Sequence, residues 1–228
     1  MNWVFDPPRV PRVRAPEGDY PVRRIFCVGR NYAAHAAEMG VAVDREKPFY
    51  FTKSPAHIAP SGSIQPYPLG TENYHYEIEL AVYLGDGAIY GYGVALDMTR
   101  RDLQLAERKH QRPWSLGKDV EGSAILAPMA TDWTLTPTAR IKLSRNGEIC
   151  QDATLGDMVW SVPEILAHLS RFYRLGVGDV VFTGTPAGVG PVVPGDTLAG
   201  EIDGLPRLAL EIGPRATGNP SFAQAQSV

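Results

Sequence analysis

Between residues 75 and 85 the chain reads HYEIELAVYLG, with apolar and polar positions alternating at period two. That pattern predicts a half-buried β-strand. Shorter apolar runs, RIFCVGR (24–30), GYGVALDMT (91–99) and DVVFTG (179–184), predict further strands, and the aromatic PFYFTKSP (48–55) is β-like. Helical signals are fewer. NYAAHAAEMG (31–40) has Asn31 as a cap, alanines inside and Gly40 as a stop. RRDLQLAERKHQ (100–111) and SVPEILAHLSRFYRLGVGD (161–179) follow, the latter with Pro163 in its first turn. Asn146-Gly147 inside ARIKLSRNGEIC predicts a hairpin, and Asp203-Gly204 a second β-pair near the end. Residues 55–74 carry four prolines and read as a long turn-rich stretch. Residues 1–22, rich in proline and arginine, read as an extended arm lying over a surface rather than inside a sheet. The prediction is a β-dominated α+β fold: one domain over 23–213, with a polar, frayed tail at 214–228.

Composition narrows the function. Glycine (23) and proline (20) together are too many for a helical bundle in 228 residues, and too few for a low-complexity chain. The net charge of −3 and the absence of a basic run give no support to nucleic-acid binding. No apolar stretch is long enough for a membrane span, and the N-terminus lacks the apolar core of a secretory signal. The expectation is a cytoplasmic protein, with Cys27 and Cys150 as two buried, reduced thiols.

Chemistry concentrates at a few positions. Glu77 and Glu79 are two apart on a strand and so share a face, with Ile78 and Leu80 turned to the core. Two such carboxylates repel unless a cation lies between them, and a hard divalent ion fits best. Asp97, after another apolar strand, offers a third oxygen. A solvated strand face explains the same spacing. His75 precedes Glu77 at the same period, either orienting a carboxylate or simply packing. His35 and Glu38, three apart on a short helix, form either a base-and-orienter pair that activates water or a surface pair. Arg101, Gln104 and Lys118 can bind a carboxylate or an oxyanion, or form a charged helix face. GTPAGVGP (184–191) lacks the Lys-Ser/Thr of a phosphate loop. It reads instead as a turn where backbone at Gly184 and the hydroxyl of Thr185 approach a ligand. Tyr32, Phe49 and Trp114 line a pocket or fill the core.

These segments occur in a recognisable order. RIFCVGRNYAAHAAEMG, HYEIEL, ALDMTRRDLQ, PWSLGKD, NGEICQDATLGDMVWSVPEIL and GDVVFTGTPAGVGPVVPGD together resemble the fumarylacetoacetate hydrolase superfamily, from about residue 22 to 213. The acylpyruvate-cleaving branch, which includes fumarylpyruvate hydrolases, is the most similar. The resemblance implies a mixed β-sandwich or roll with short peripheral helices, as a homodimer. It implies Glu77, Glu79 and Asp97 as ligands of Mg²⁺ or Mn²⁺, and His35 with Glu38 as the water-activating dyad on a lid helix. It also implies Arg101, Gln104, Lys118, Thr185 and Gly184 around a small 2-oxo acid. Hydrolysis of a C–C bond in a 3-acylpyruvate, in aromatic-compound catabolism, is the expected activity. Oxaloacetate decarboxylation, and isomerisation or hydration on the same metal site, are alternatives; a non-catalytic metal-dependent binding module is one of another class. Two departures stand out. Only Asp86 to Tyr90 separate LAVYLG from GYGVALDM, where the family carries more, and Asp119 follows Lys118, where a small or aromatic residue is usual.

Overall fold

The computed structural model describes residues 3–40 and 45–218. Strands β1 (Arg12–Ala15) and β2 (Gly18–Pro21) form a hairpin, and β3 (Arg24–Gly29) leads through α1 (Ala33–Glu38) to β4 (Phe49–Lys53). A single 3₁₀ turn at Pro55–His57 precedes β5 (Ile58–Pro60), β6 (Ser63–Tyr67), β7 (Tyr74–Tyr76), β8 (Ile78–Leu84) and β9 (Ile89–Asp97). The two-residue β10 (Thr99–Arg100) runs directly into α2 (Arg101–Lys109), followed by α3 (Ser115–Lys118) and β11 (Ala124–Leu126). The last third holds β12 (Arg140–Arg145), β13 (Glu148–Thr154), α4 (Val162–Leu169), β14 (Asp179–Phe182), β15 (Gly190–Val192), β16 (Thr197–Ile202) and β17 (Leu208–Arg215).

A seven-stranded mixed sheet, in the order β4-β3-β14-β8-β9-β11-β5, packs on a five-stranded sheet ordered β13-β12-β16-β17-β6. Between them lies the main core, with Ile78, Leu80, Val82, Val94 and Leu96 facing Ile141, Leu143, Leu198, Leu208 and Leu210. The opposite face of the large sheet is covered too. Ala81, Tyr83, Ala95 and Phe182 pack there against Val13, Ala15 and Tyr20 of the β1–β2 hairpin. β8 is therefore buried on both faces along its whole length. That is why Ile78, Leu80, Val82 and Leu84 alternate with Glu79, Ala81 and Tyr83, none of them solvated.

Several expectations change here. The N-terminal stretch is not only an extended arm: residues 12–21 pair as strands, because Ala15 and Gly18 close a tight turn and alternate side chains reach the second core. The 55–74 stretch holds two short strands, β5 and β6, both in parallel pairings to distant partners. The helix beginning at Val162 ends at Leu169, ahead of the exposed Phe172 and Tyr173. Its start carries a reciprocal capping box between Ser161 and Glu164. Asn31 does not cap α1. Its side chain instead donates to the Trp160 and Thr183 carbonyls and accepts from the Trp160 N–H, tying three loops together. Cys27 is buried, but Cys150 is only half-buried, and both thiols are free. The short 86–90 segment closes as a tight turn: Gly85 N–H bonds to the Ala88 carbonyl, and the β8–β9 ladder shifts register by one residue between Tyr83, opposite Gly91, and Leu84, opposite Ile89. β17 runs on to Arg215, inside the segment read as a frayed tail; residues 219–228 lie outside the described residues.

Candidate active site

The ladder between β8 and β9 builds the site. Register puts Ile78 opposite Leu96 and Glu79 opposite Ala95, and the Asp97 N–H donates to the Glu77 carbonyl, so Glu77 and Asp97 face one another. Glu77 falls in the break between β7 and β8, where the chain passes from a small three-stranded sheet into the seven-stranded one. Neither glutamate is solvated: Glu77 is 4% exposed, Glu79 2% and Asp97 0%. One carboxylate oxygen from each lies within 4.8 Å of the others. The solvated-face reading of this spacing is thereby excluded.

Three buried cations accompany the three acids. Lys118 Nζ donates to Glu77 Oε2 and Asp97 Oδ2, each at 2.6 Å, and to Thr99 Oγ1 at 2.8 Å. Arg101 donates to Glu77 Oε1 and to the Gln104 amide oxygen. Lys53 donates to the Met98 carbonyl, the Lys118 carbonyl and Ser123 Oγ. The charges are shared unevenly. Burial alone would raise the Glu77 pKa, but Lys118 and Arg101 outweigh it and hold the group well below the usual carboxylate range. Glu79 accepts from the Gly184 N–H at 2.6 Å. Burial, then Asp97 and Glu77, push its pKa well up. Asp97 Oδ1 lies 2.9 Å from Lys53 Nζ, yet no donor meets it in hydrogen-bonding geometry. An all-oxygen donor set, an excess of acid at Glu79 and an unbonded buried oxygen on Asp97 fit a hard divalent cation. Among the described residues this is the one such cluster.

Helix α1 brings His35 to the same cavity. His35 is 7% exposed, and its Nδ1 lies 3.1 Å from Glu38 Oε2. An ionised carboxylate only accepts, so this bond puts the proton on Nδ1 and leaves Nε2 as the basic nitrogen. Glu38 also accepts from the Gly188 N–H at 3.2 Å, which docks α1 on the glycine loop. The inner cavity, about 40 Å³, is lined by His35, Glu77, Glu79, Arg101, Gln104, Lys118 and Thr185 together with Phe51 and Trp114.

Most expected site residues thus meet, with adjustments. Gly184 turns its N–H to Glu79, and its φ of +95° beside Asn31 leaves no room for a side chain. Thr185 Oγ1 accepts from Gln151 Nε2 at 2.8 Å, and as a hydroxyl it keeps a proton of its own to donate. His75 contacts Arg101 Nε at 3.4 Å rather than a carboxylate, and burial followed by Arg101 lowers its pKa to about 4. Trp114 lines the cavity, Phe49 packs against it at a tilt with ring centres 4.6 Å apart, and Tyr32 is core. Asp119 faces away, accepting from Ser54 N–H and pairing with His57, both at 2.7 Å. Sequence reasoning missed Lys53 and Gln151. Lys53 did carry a signal, since it follows Phe49 and Phe51 on the inward face of a strand where a cation needs an acid. Gln151, fully buried, accepts from the Ile78 N–H and carried none.

Three buried carboxylates that could hold a divalent cation lie beside a histidine–carboxylate pair, on a β-dominated double-sheet scaffold. Residues 24–212 match the family described as fumarylacetoacetate (FAA) hydrolase C-terminal. The chain belongs to that family. It is 44% identical to a fumarylpyruvate hydrolase of Ralstonia sp over 190 residues, 77% of this chain and 99% of the relative. It is 40% identical to an oxaloacetate tautomerase of Escherichia coli (strain K12), over 82% of this chain and 91% of the relative. Among solved structures, the fumarylpyruvate hydrolase of Pseudomonas aeruginosa in complex with Mn²⁺ and pyruvate superposes with a TM-score of 0.90. The two are 41% identical, and the match covers 94% of this chain and all of the other.

Proposed function

We propose that the protein is a divalent-metal-dependent hydrolase that cleaves the C–C bond of 3-acylpyruvates, R–CO–CH₂–CO–COO⁻, to pyruvate and a carboxylic acid. The observation that carries this is one small cavity holding both the three-carboxylate cluster and the His35–Glu38 pair. The likeness to fumarylpyruvate hydrolases supports it. Glu77, Glu79 and Asp97 would hold Mg²⁺ or Mn²⁺, which as a Lewis acid polarises the 2-oxo group and contributes on the order of several kcal/mol.

The chain's own residues do the rest. Arg101, already bound to Gln104, holds the pyruvoyl carboxylate, and Thr185 donates its hydroxyl proton to the same end. His35 Nε2 takes a proton from water, whose oxygen bonds to the distal carbonyl carbon. The charge that develops on that carbonyl oxygen meets the Lys118 ammonium and the Gln104 amide N–H. The C–C bond then breaks, and the proton returns from His35 to the methylene carbon that becomes the pyruvate methyl group. Glu38 keeps the ring oriented throughout and, through Gly188, keeps α1 over the cavity. The same reading carries a homodimer in the cytoplasm and a place in aromatic-compound breakdown.

The oxaloacetate tautomerase relatives favour a second reading, proton transfer at the same site without attack by water. One assay separates them. Fumarylpyruvate, acetylpyruvate and oxaloacetate are incubated with the protein and Mg²⁺, Mn²⁺ or EDTA. Metal-dependent bleaching of the acylpyruvate absorbance with stoichiometric pyruvate is the expected result. Enol–keto exchange of oxaloacetate without cleavage of either acylpyruvate would replace this proposal with the second reading.

A further inference from the structure

Outside the inner cavity lies a larger one of about 550 Å³, and the two share Arg30, Phe51, Arg108, Trp114 and Lys118 along their walls. The outer cavity adds Arg112, and among the described residues no carboxylate lines it. Its cations are not equivalent. Lys118 is matched by Glu77 and Asp97, and the exposed Arg112 lies 3.8 Å from Glu107. Arg108 donates to the Met39 carbonyl at 3.3 Å, a neutral acceptor, and among the described residues no ion pair joins its guanidinium.

Arg30 is the more constrained. Its φ of +61° places a long side chain in the left-handed region, which residues other than glycine, asparagine and aspartate rarely adopt. Two neighbours hold it there. A Cβ at Gly29 would stand 2.7 Å from the Phe49 ring, so that position stays bare, and Asn31 is fixed by its three hydrogen bonds to Trp160 and Thr183. The resulting backbone turn lays the guanidinium over Phe49 and Trp114, at 5.4 and 5.8 Å from the ring centres, on the wall common to both cavities. Strain kept at such a point marks a functional position.

We infer that Arg30, seconded by Arg108, is the specificity-determining group for the acyl end of the substrate, and that it selects acyl groups ending in a carboxylate. The inference rests on the hydrolase reading for the substrate's orientation. With the pyruvoyl end among Arg101, Gln104 and the acids, the R group is directed toward the wall that the two cavities share, where Arg30 and Arg108 stand. A terminal carboxylate there meets a planar guanidinium already immobilised on an aromatic shelf, the arrangement that favours paired N–H···O bonds. A neutral R group meets the same arginine with nothing to offer it.

The test compares the parent enzyme with Arg30→Gln and Arg30→Lys on fumarylpyruvate, which has a distal carboxylate, and on acetylpyruvate, which ends in methyl. Arg30→Gln is expected to lower kcat/KM for fumarylpyruvate about 10- to 100-fold, mainly through KM. For acetylpyruvate the change stays within about threefold, and Arg30→Lys recovers part of the loss. Arg108→Gln should shift the same ratio by less. It also keeps the question open to measurement if Arg30→Gln fails to fold. Equal losses on both substrates, or no loss on fumarylpyruvate, would overturn the inference. If the parent cleaves neither compound, the hydrolase reading fails on its own account. Calorimetry on the Mn²⁺-loaded protein then decides the subsite, with 2-oxoglutarate as dianion and 2-oxobutyrate as monoanion. An Arg30→Gln variant that weakens only the dianion supports it, and one that leaves their ratio unchanged rejects it.

Discussion

Two buried acid–cation clusters sit in this molecule, and they are built on opposite principles. At Asp179, one carboxylate is held by two arginines and a backbone donor. Arg23 Nη2 donates at 2.9 Å, Arg24 Nε and Nη2 at 2.8 and 2.6 Å, and the Gly176 N–H at 3.0 Å. Burial would raise the Asp179 pKa, but hydrogen bonds from Arg24 and Arg23 outweigh it and leave the group below its ordinary value. Every lone pair is engaged, and the arginines keep contact with water. At Glu77, Glu79 and Asp97, three acids and three cations are all buried, yet Glu79 has one backbone donor and an oxygen of Asp97 has no hydrogen bond. The first cluster is satisfied and fastens strands together. The second is left short of positive charge at one point, which is the condition for taking up a cation.

The comparison can be broken at its strongest point first. Glu79→Gln removes the acid excess, and Mn²⁺ binding and acylpyruvate cleavage are expected to fall together, activity by about 10³-fold or more. Calorimetric Mn²⁺ binding with parent affinity in this variant would contradict the assignment. His35→Ala, which leaves the acids alone, should keep Mn²⁺ affinity while kcat drops by ~10²–10⁴-fold. Saturating Mn²⁺ should raise the melting temperature, since a hundredfold excess over Kd adds about 2.7 kcal/mol. The smallest effect on activity is expected at the satisfied cluster. Asp179→Asn should cost about 1.5–3 kcal/mol in denaturant unfolding with kcat/KM unchanged. Because its folded pKa is depressed, the Asp179 contribution is present above the unfolded value near ~3.9. It is lost as pH falls through the folded value, and the Asp179→Asn penalty should shrink over that acidic range.

Much of the site was legible because its signals are local. Period two put Glu77 and Glu79 on one face, and an i,i+3 spacing paired His35 with Glu38. Asn146-Gly147 marked its hairpin, and the structure puts both residues at positive φ, 53° and 85°. What stayed hidden depends on pairs far apart in sequence. Asn31 looks like a helix cap in any local window, but Trp160 and Thr183 offer it more partners than α1 does. The strands in the proline-rich 55–74 stretch exist because β11 and β17 supply edges for them. Proline at the N-terminus argued against a sheet, yet the residues between the prolines reach a second core that no periodicity announces.

β14 has a consequence for how the chain comes to be made. It inserts between β3 and β8, parallel to one and antiparallel to the other, and the Gly184 that follows it supplies the Glu79 hydrogen bond. A growing polypeptide therefore carries two half-sheets, β3–β4 and β8–β9, each with a bare edge, until Asp179–Phe182 has been synthesised. Edges of that kind template aggregation while they wait. Truncation before residue 179 leaves every proposed metal ligand in place on the β8–β9 ladder but removes the strand that joins the two half-sheets and the Gly184 donor to Glu79.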